Sequence, residues 1–496
     1  MSGNVVDILR RNAKLNKRIY ETNRQISYVE MWNKINALKE KILNCNRLIQ
    51  NNVGVYLPNG IDYVIALFSI QAASKIPVPM SLLEKPINVI DMILYTRQNL
   101  IITDDENYSI LYPLLVESKY QFILYNITTD LFSIINNENE VLIDDYPLNP
   151  SEVAIILKTS GTTDNPKFAM LTHEGIIFNV KAHIRSLNIS SAERTLIQLP
   201  MCFGYCYSSQ LLVHIFLGAE IFIGSQMFNQ KQFIRQINAW QITNTTIVPS
   251  VLQVLNCTLK NIEQCKDFSS LKYLCFGGAK ADINLIDQLN RKLKFTYLVQ
   301  TYGLTEHSPR ISTKIYDKRK KLKNSVGFPL DGVEISIRTS NGEKALKHTP
   351  GVIWVKSPSV MKGYYKNQNE TEKILNNGWL NTGDIGYIDL DNELCICGRQ
   401  KNIIIFNGIN INPEEIEVII LNTPGVEKVL VSKEEHEVFG EVPVATISVK
   451  KEYDPNVVRD CVIKNCKRTL PNYKWPRKVT ITNYIETTIT GKVKRK

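Results

Sequence analysis

Residues 158 to 167 read Lys-Thr-Ser-Gly-Thr-Thr-Asp-Asn-Pro-Lys and follow an apolar run, Val153 to Leu157, with the length of a buried strand. Hydroxyls at Thr159, Ser160, Thr162 and Thr163 combine with Gly161 and the backbone N–H groups of a flexible turn into a nest of donors. Lys167 adds a point positive charge a few residues on. Phosphate oxygens need this mixture of donors and charge. The spacing GxxxxGK[ST] is not met, so the segment is not a Walker A loop. An ordinary polar turn after a strand would use the same residue types. The rest of the chain decides between the two.

Four further segments follow in order: Gln300-Thr301-Tyr302-Gly303-Leu304-Thr305-Glu306, Asn381-Thr382-Gly383-Asp384, Gly398-Arg399-Gln400-Lys401 and Gly491-Lys492. With the loop, they closely resemble the adenylate-forming superfamily. That superfamily includes acyl-CoA synthetases, nonribosomal-peptide adenylation domains and firefly-type luciferases, and the resemblance spans nearly the whole chain. It implies an enzyme in which a carboxylate attacks the α-phosphate of ATP, giving an acyl-adenylate and pyrophosphate. A thiol, coenzyme A or the phosphopantetheine arm of a carrier protein, then displaces AMP. The barrier lies in pressing an anion against a polyanion, so the site must supply positive charge and in-line positioning.

The resemblance carries roles onto individual residues. Thr159, Ser160, Gly161, Thr162, Thr163 and Lys167 would hold the β- and γ-phosphates. The Tyr302 ring would stack on adenine beside Gly303, Thr305 would reach the α-phosphate, and Glu306 would ligate Mg²⁺, a hard cation that prefers carboxylate oxygen. Gly277, Gly278 and Ala279 match the backbone along adenine, where a flat ring must approach closely. Asp384 would accept the ribose hydroxyls and Arg399 would make a second ribose or phosphate contact. Lys492 matches the lysine that bridges carboxylate and α-phosphate oxygens as charge develops. Lys401 matches the hinge about which a small C-terminal domain swings, and the loop around Gly408 would then face the thiol.

Two departures from the family pattern stand out. Asp164 and Phe168 occupy positions where most relatives carry glycine. The acyl group is expected against Phe203, Gly204, Tyr205 and Gly278. Amino-acid-activating relatives place an aspartate near Gly204 to bind the α-ammonium, and many relatives carry histidine at the Phe203 position. An uncompensated ammonium in an apolar pocket is costly. The reading is therefore a small carboxylic acid without an α-amine, aromatic or short-to-medium aliphatic. The aromatic residues Phe203, Tyr205 and Tyr207 line a pocket on one reading and form plain core on the other. The alternatives are an amino-acid adenylation enzyme loading a carrier protein, and a non-catalytic nucleotide-binding scaffold.

These residues need a scaffold. Strand-length apolar runs (Asn52 to Tyr56, Phe122 to Tyr125, Ala154 to Leu157, Glu220 to Ile223, Thr245 to Val248, Tyr273 to Phe276) alternate with helical patterns such as Tyr63 to Ala73. That rhythm predicts an α/β fold with parallel sheets covered on both faces. From Gly332 shorter β-rich segments take over, and near Arg399 a small α/β unit begins. The predicted division is a large N-terminal body of sheets flanked by helices plus a β-rich subdomain, residues 1–400, and a small mobile α/β domain, residues 401–496. Asn412 suits an N-cap, Pro413 the first helical position, and Glu414 and Glu415 the first turn of a helix.

Composition agrees with a globular enzyme: 496 residues, 44% hydrophobic and 22% charged, which excludes disorder, collagen and coiled coil. No run of about 18 apolar residues predicts a membrane span. Ten scattered cysteines without CxxC spacing and six histidines without HExxH read as a reduced, cytoplasmic chain without a zinc site. The net charge of +11 points to an anionic partner. From Arg459 to Lys496 there are eleven basic residues and two acids, and from Arg310 to Lys323 seven and one. Both runs read as a landing surface for coenzyme A phosphates or an acidic carrier protein. Nucleic-acid binding has no motif behind it.

Overall fold

The expected strands form, and most pair in parallel. The computed structural model describes residues 3–493 apart from 46–49, 144–145, 147, 160–165, 226–227, 260–267, 280, 321, 340, 407–408, 437–438 and 488–492. A nine-stranded sheet runs in the order Phe328–Pro329, Arg310–Ile315, Tyr297–Gly303, Tyr273–Gly277, Asn244–Ile247, Arg194–Ile197, Glu220–Ile223, Arg18–Tyr20, Gln25–Ser27. It is parallel from Tyr297–Gly303 to Arg18–Tyr20 and antiparallel at both edges. A second sheet sets Ile76–Pro79, Asn52–Tyr56, Leu100–Thr103 and Tyr120–Asn126 in parallel and ends on antiparallel Leu131–Ile135. Runs such as Val53-Gly54-Val55 are buried at every position, as strands covered on both faces must be.

One core joins the two sheets. Val53, Val55 and Ile102 from the second meet Ile197, Ile221 and Val299 from the first through the helices Tyr28–Leu43, Ile61–Ala72 and His173–Leu187. The helix Ile61–Ala72 is buried nearly all round, which matches its almost continuous apolar sequence. The helix His173–Leu187 starts at Thr172, whose Oγ1 accepts from Gly175 N at 3.0 Å, and ends at Asn188 in a left-handed conformation.

The strand before the phosphate-rich loop departs from the parallel expectation. Val153–Lys158 pairs antiparallel with Phe168–Thr172, which pairs antiparallel with Gly363–Tyr364. The loop is a hairpin connection, because nine residues between Lys158 and Phe168 are too few for a helical crossover. Phe168 lies 1% exposed in the core and stacks on Tyr95 at 5.3 Å.

The β-rich segment forms an antiparallel sheet of Glu334–Arg338, Gly351–Lys356, Trp379–Ile388, Leu375–Asn376 and Leu394–Arg399. Beyond it, Ile404–Phe406, Ile409–Ile411, Val426–His436, Gly440–Val449 and Val479–Ile481 make a further sheet. The helices Pro413–Leu421 and Pro455–Thr469 cover that sheet around a core of their own. Asn412 caps the first of these helices, its Oδ1 accepting from Glu414 N at 3.1 Å.

Candidate functional site

Chain geometry brings the separated motifs together. The hairpin is closed at its base by Thr159 N donating to Lys167 O at 2.8 Å. Lys167 pairs with Glu370 and lies 5.1 Å over the ring of Tyr364. The Tyr364 hydroxyl donates to Glu306 Oε1 at 2.7 Å, and Met361 N donates to Glu306 O at 2.9 Å. Four residues before Glu306, the Tyr302 hydroxyl donates to Asp384 Oδ2 at 2.6 Å, while Arg399 Nε meets Asp384 Oδ1 at 2.6 Å. Asp384 and Arg399 are directly paired on neighbouring strands. One contiguous array therefore runs from Lys167 to Arg399.

The charges of this array are largely paired against one another. Lys401, in the short helical turn Gln400–Asn402, holds its proton less tightly than usual because of burial and then the charges of Arg399 and Lys167. Burial disfavours the charge of Arg399, and Asp384, Tyr302, Glu306 and Glu414 more than restore it. Glu370 is pulled down to about 2 by hydrogen bonds from Lys167 and then Lys373. Burial and then Asp384 push the Tyr302 hydroxyl up, and burial and then Glu306 push up that of Tyr364, so both remain donors. Asp384 is 4% exposed.

Two glycines are dictated by close approach. A Cβ at Gly277 would lie 2.5 Å from Thr301 O and 3.1 Å from the Tyr205 hydroxyl. A Cβ at Gly303 would lie 2.1 Å from Pro309 O, so the strand Tyr297–Gly303 can turn against Pro309 only without a side chain there. Gly278 faces open space and Ala279 is half-buried, which leaves an open edge after the strand Tyr273–Gly277.

The segment Phe203 to Tyr205, expected to meet the acyl group, abuts these elements. Tyr205 and Thr301 share a hydrogen bond of 2.8 Å between hydroxyls. A Cβ at Gly204 would stand 3.3 Å from Leu157 and 3.7 Å from Thr305. Phe203 precedes the helical turn and is half-buried. Tyr207 belongs to the core, fully buried, its hydroxyl accepting from Gln71 Nε2 at 3.3 Å. Of the three aromatics, Tyr207 alone is fully buried core, while Phe203 and Tyr205 are half-buried.

Thr159, Lys167, Gly277, Gly278, Ala279, Tyr302, Gly303, Thr305, Glu306, Asp384, Arg399, Lys401 and the segment Phe203 to Tyr205 are all described. Ser160, Gly161, Thr162, Thr163, Asp164, Gly408 and Lys492 lie outside the described residues. The segment bearing Lys492 is flanked by an antiparallel bridge between Thr487 and Val493. Tyr364 and Glu370 belong to the array and were missed by sequence reasoning, although the run Gly363-Tyr364-Tyr365 offered an aromatic signal. The basic run from Arg310 is not the uniform surface expected. Arg310 is 1% exposed, Lys314 pairs with Glu393, and Lys318 donates to Leu293 O. Among the described residues no helix is long and apolar enough to cross a membrane, and no group of three or more His, Cys, Asp or Glu could hold a metal.

The chain is similar to known proteins in sequence and in fold. A family model described as AMP-binding enzyme matches residues 9–365, and one described as AMP-binding enzyme C-terminal domain matches residues 415–492. A 2-succinylbenzoate–CoA ligase of Bacillus licheniformis is 32% identical over 66% of this chain and 65% of its own length. A long-chain-fatty-acid–CoA ligase of Escherichia coli is 31% identical over 70% and 62%. Less than two thirds of each of those relatives is spanned. A 4-coumarate–CoA ligase of Nicotiana tabacum is 27% identical over 90% of this chain and 84% of its own. The fold matches an O-succinylbenzoate coenzyme A synthetase of Bacillus subtilis solved with AMP, with TM-score 0.83, 24% identity, and coverage of 98% and 97% of the two chains.

Proposed function

The chain belongs to the AMP-binding enzyme family, and from that premise we propose that it is an ATP-dependent acid–thiol ligase. It activates a carboxylic acid to the acyl-adenylate with release of pyrophosphate, then passes the acyl group to a thiol. The observation that carries this reading is the contiguous array Lys167, Tyr364, Glu306, Tyr302, Asp384 and Arg399, drawn from five separated segments. Lys167, Arg399 and Lys401 supply positive charge for the phosphates, and Asp384 supplies acceptors for ribose hydroxyls. Glu306 fits Mg²⁺, since this ion commonly uses one or two protein carboxylates and completes its shell with phosphate oxygens and water. When bound, the ion neutralises phosphate charge.

The thiol is coenzyme A in this proposal, a choice supported by the names of the three curated relatives. A carrier-protein arm is the second acceptor, since it presents the same pantetheine. Lys401 is the pivot between residues 1–400 and 401–496, a division supported by the separate core beyond Ile404. The loop at Gly408 would then meet the thiol. Nine free cysteines among the described residues favour a reducing compartment and hence the cytoplasm. Carboxylate-dependent exchange of labelled pyrophosphate into ATP, run over aromatic, aliphatic and amino acids, tests the proposal. Exchange with acids lacking an α-amine is expected. Absence of exchange with every acid would leave the scaffold reading, and exchange only with amino acids would overturn the pocket argument.

A further inference from the structure

Beside the acyl segment lies an unusually expensive arrangement. Arg310 pairs with Gly303 across neighbouring strands and is 1% exposed, and among the described residues its Nε, Nη1 and Nη2 meet no oxygen or nitrogen acceptor, only the weakly accepting thiol of Cys275. Its backbone is held firmly. Asn179 Nδ2 donates to Arg310 O at 2.8 Å, and Arg310 N donates to Asn179 Oδ1 at 3.3 Å. A guanidinium stays charged in proteins, and an uncompensated buried charge is among the costliest features a core can hold.

The groups that face Arg310 do not neutralise it. They are the Cys275 thiol, the Tyr205 hydroxyl and the His183 imidazole. Burial pushes the thiol and the phenol upward and the imidazole downward, so all three are neutral. His183 Nδ1 is itself buried without a partner. The π-helical turn Tyr207–Leu212 continues from the acyl segment, packs on the helix carrying His183, and adds the unpartnered hydroxyls of Ser208 and Ser209. Tyr205 links this polar interior to the Thr301 and Gly277 wall of the acyl site.

Resting on the reading of this segment as the acyl site, we propose that the acid carries a second carboxylate, remote from the one adenylated, and that Arg310 receives it. A carboxylate matches the guanidinium fork and supplies the missing counter-charge.

The test uses the full chain and matched pairs of acids: aliphatic and aromatic dicarboxylic acids of graded length, each against its monomethyl ester. Pyrophosphate exchange should show kcat/KM for the free diacid above that of its ester by on the order of 10²-fold or more, as sites built for a polar group reject analogues lacking it. Arg310→Met, similar in length and uncharged, should remove that advantage. A wild-type enzyme that uses the esters equally well or better overturns the proposal, and this outcome needs no variant to fold. Exchange with neither member of any pair, while a simple monocarboxylic acid supports exchange, also overturns the proposal; exchange with no acid of any kind sinks the acid-activation reading itself.

Discussion

At the scale of single residues, the hydroxyl of Tyr364 is the clearest positioning group. It holds Glu306 at 2.7 Å while its ring lies under Lys167. Tyr364→Phe keeps the ring and removes one hydrogen bond, a loss of about 1 kcal/mol. The Mg²⁺ concentration needed for half-maximal pyrophosphate exchange should rise several-fold, with melting temperature little changed. An unaltered Mg²⁺ requirement would reduce Tyr364 to packing. Lys492→Ala should lower adenylate formation by roughly 10²–10³, the scale of losing one aimed electrostatic group. Single-turnover formation at the wild-type rate would refute its role. Most site residues were legible because the family motifs name them. Tyr364 and Arg310 were not. Tyr364 reaches Glu306 only through the fold, and Arg310 opens a basic run whose other members look like surface. Its neighbours Pro309 and Ile311 were the one local hint that this charge is buried.

Among the elements, the strands on both sides of the core were legible from continuous apolar runs, and the helix at Pro413 from its cap residues. The hairpin around the phosphate-rich loop was misread, because periodicity locates a strand but is silent on its partner. Only the short connection betrayed an antiparallel pair. The turn Gln400–Asn402 carries the proposed pivot, and its lysine also lies within electrostatic reach of Lys167 and Arg399. Two substitutions separate these roles. Lys401→Ala removes the charge alone, whereas Lys401→Pro also fixes φ and removes a backbone N–H. Thioester formation should fall much further in the proline variant than in the alanine variant, with adenylate formation similar in the two. Equal rates of thioester formation would refute the pivot.

The whole molecule carries a pH signature set by its buried histidines. Burial lowers His214 and His307 to about 4 and His183 well below its ordinary value. Each is neutral in the folded state and gains a proton on unfolding below about 6.5. The unfolded chain therefore binds more protons as pH falls, and stability present above pH 6.5 is lost progressively toward pH 4. Each of His214 and His307 contributes at most about 3 kcal/mol. Denaturant unfolding followed from pH 8 to pH 4 should show this decline beginning above the carboxylate range; a flat profile between 6.5 and 5 would contradict it. The elements on either side of Lys401 are also coupled through one side chain. Asn412 caps the helix Pro413–Leu421 with its oxygen, while its Nδ2 donates to Cys397 O across the proposed pivot. That amide acts as a detent. Any swing that parts the helix from the strand Leu394–Arg399 must first break this bond, so the proposed motion would meet a built-in threshold on the strand that carries Arg399.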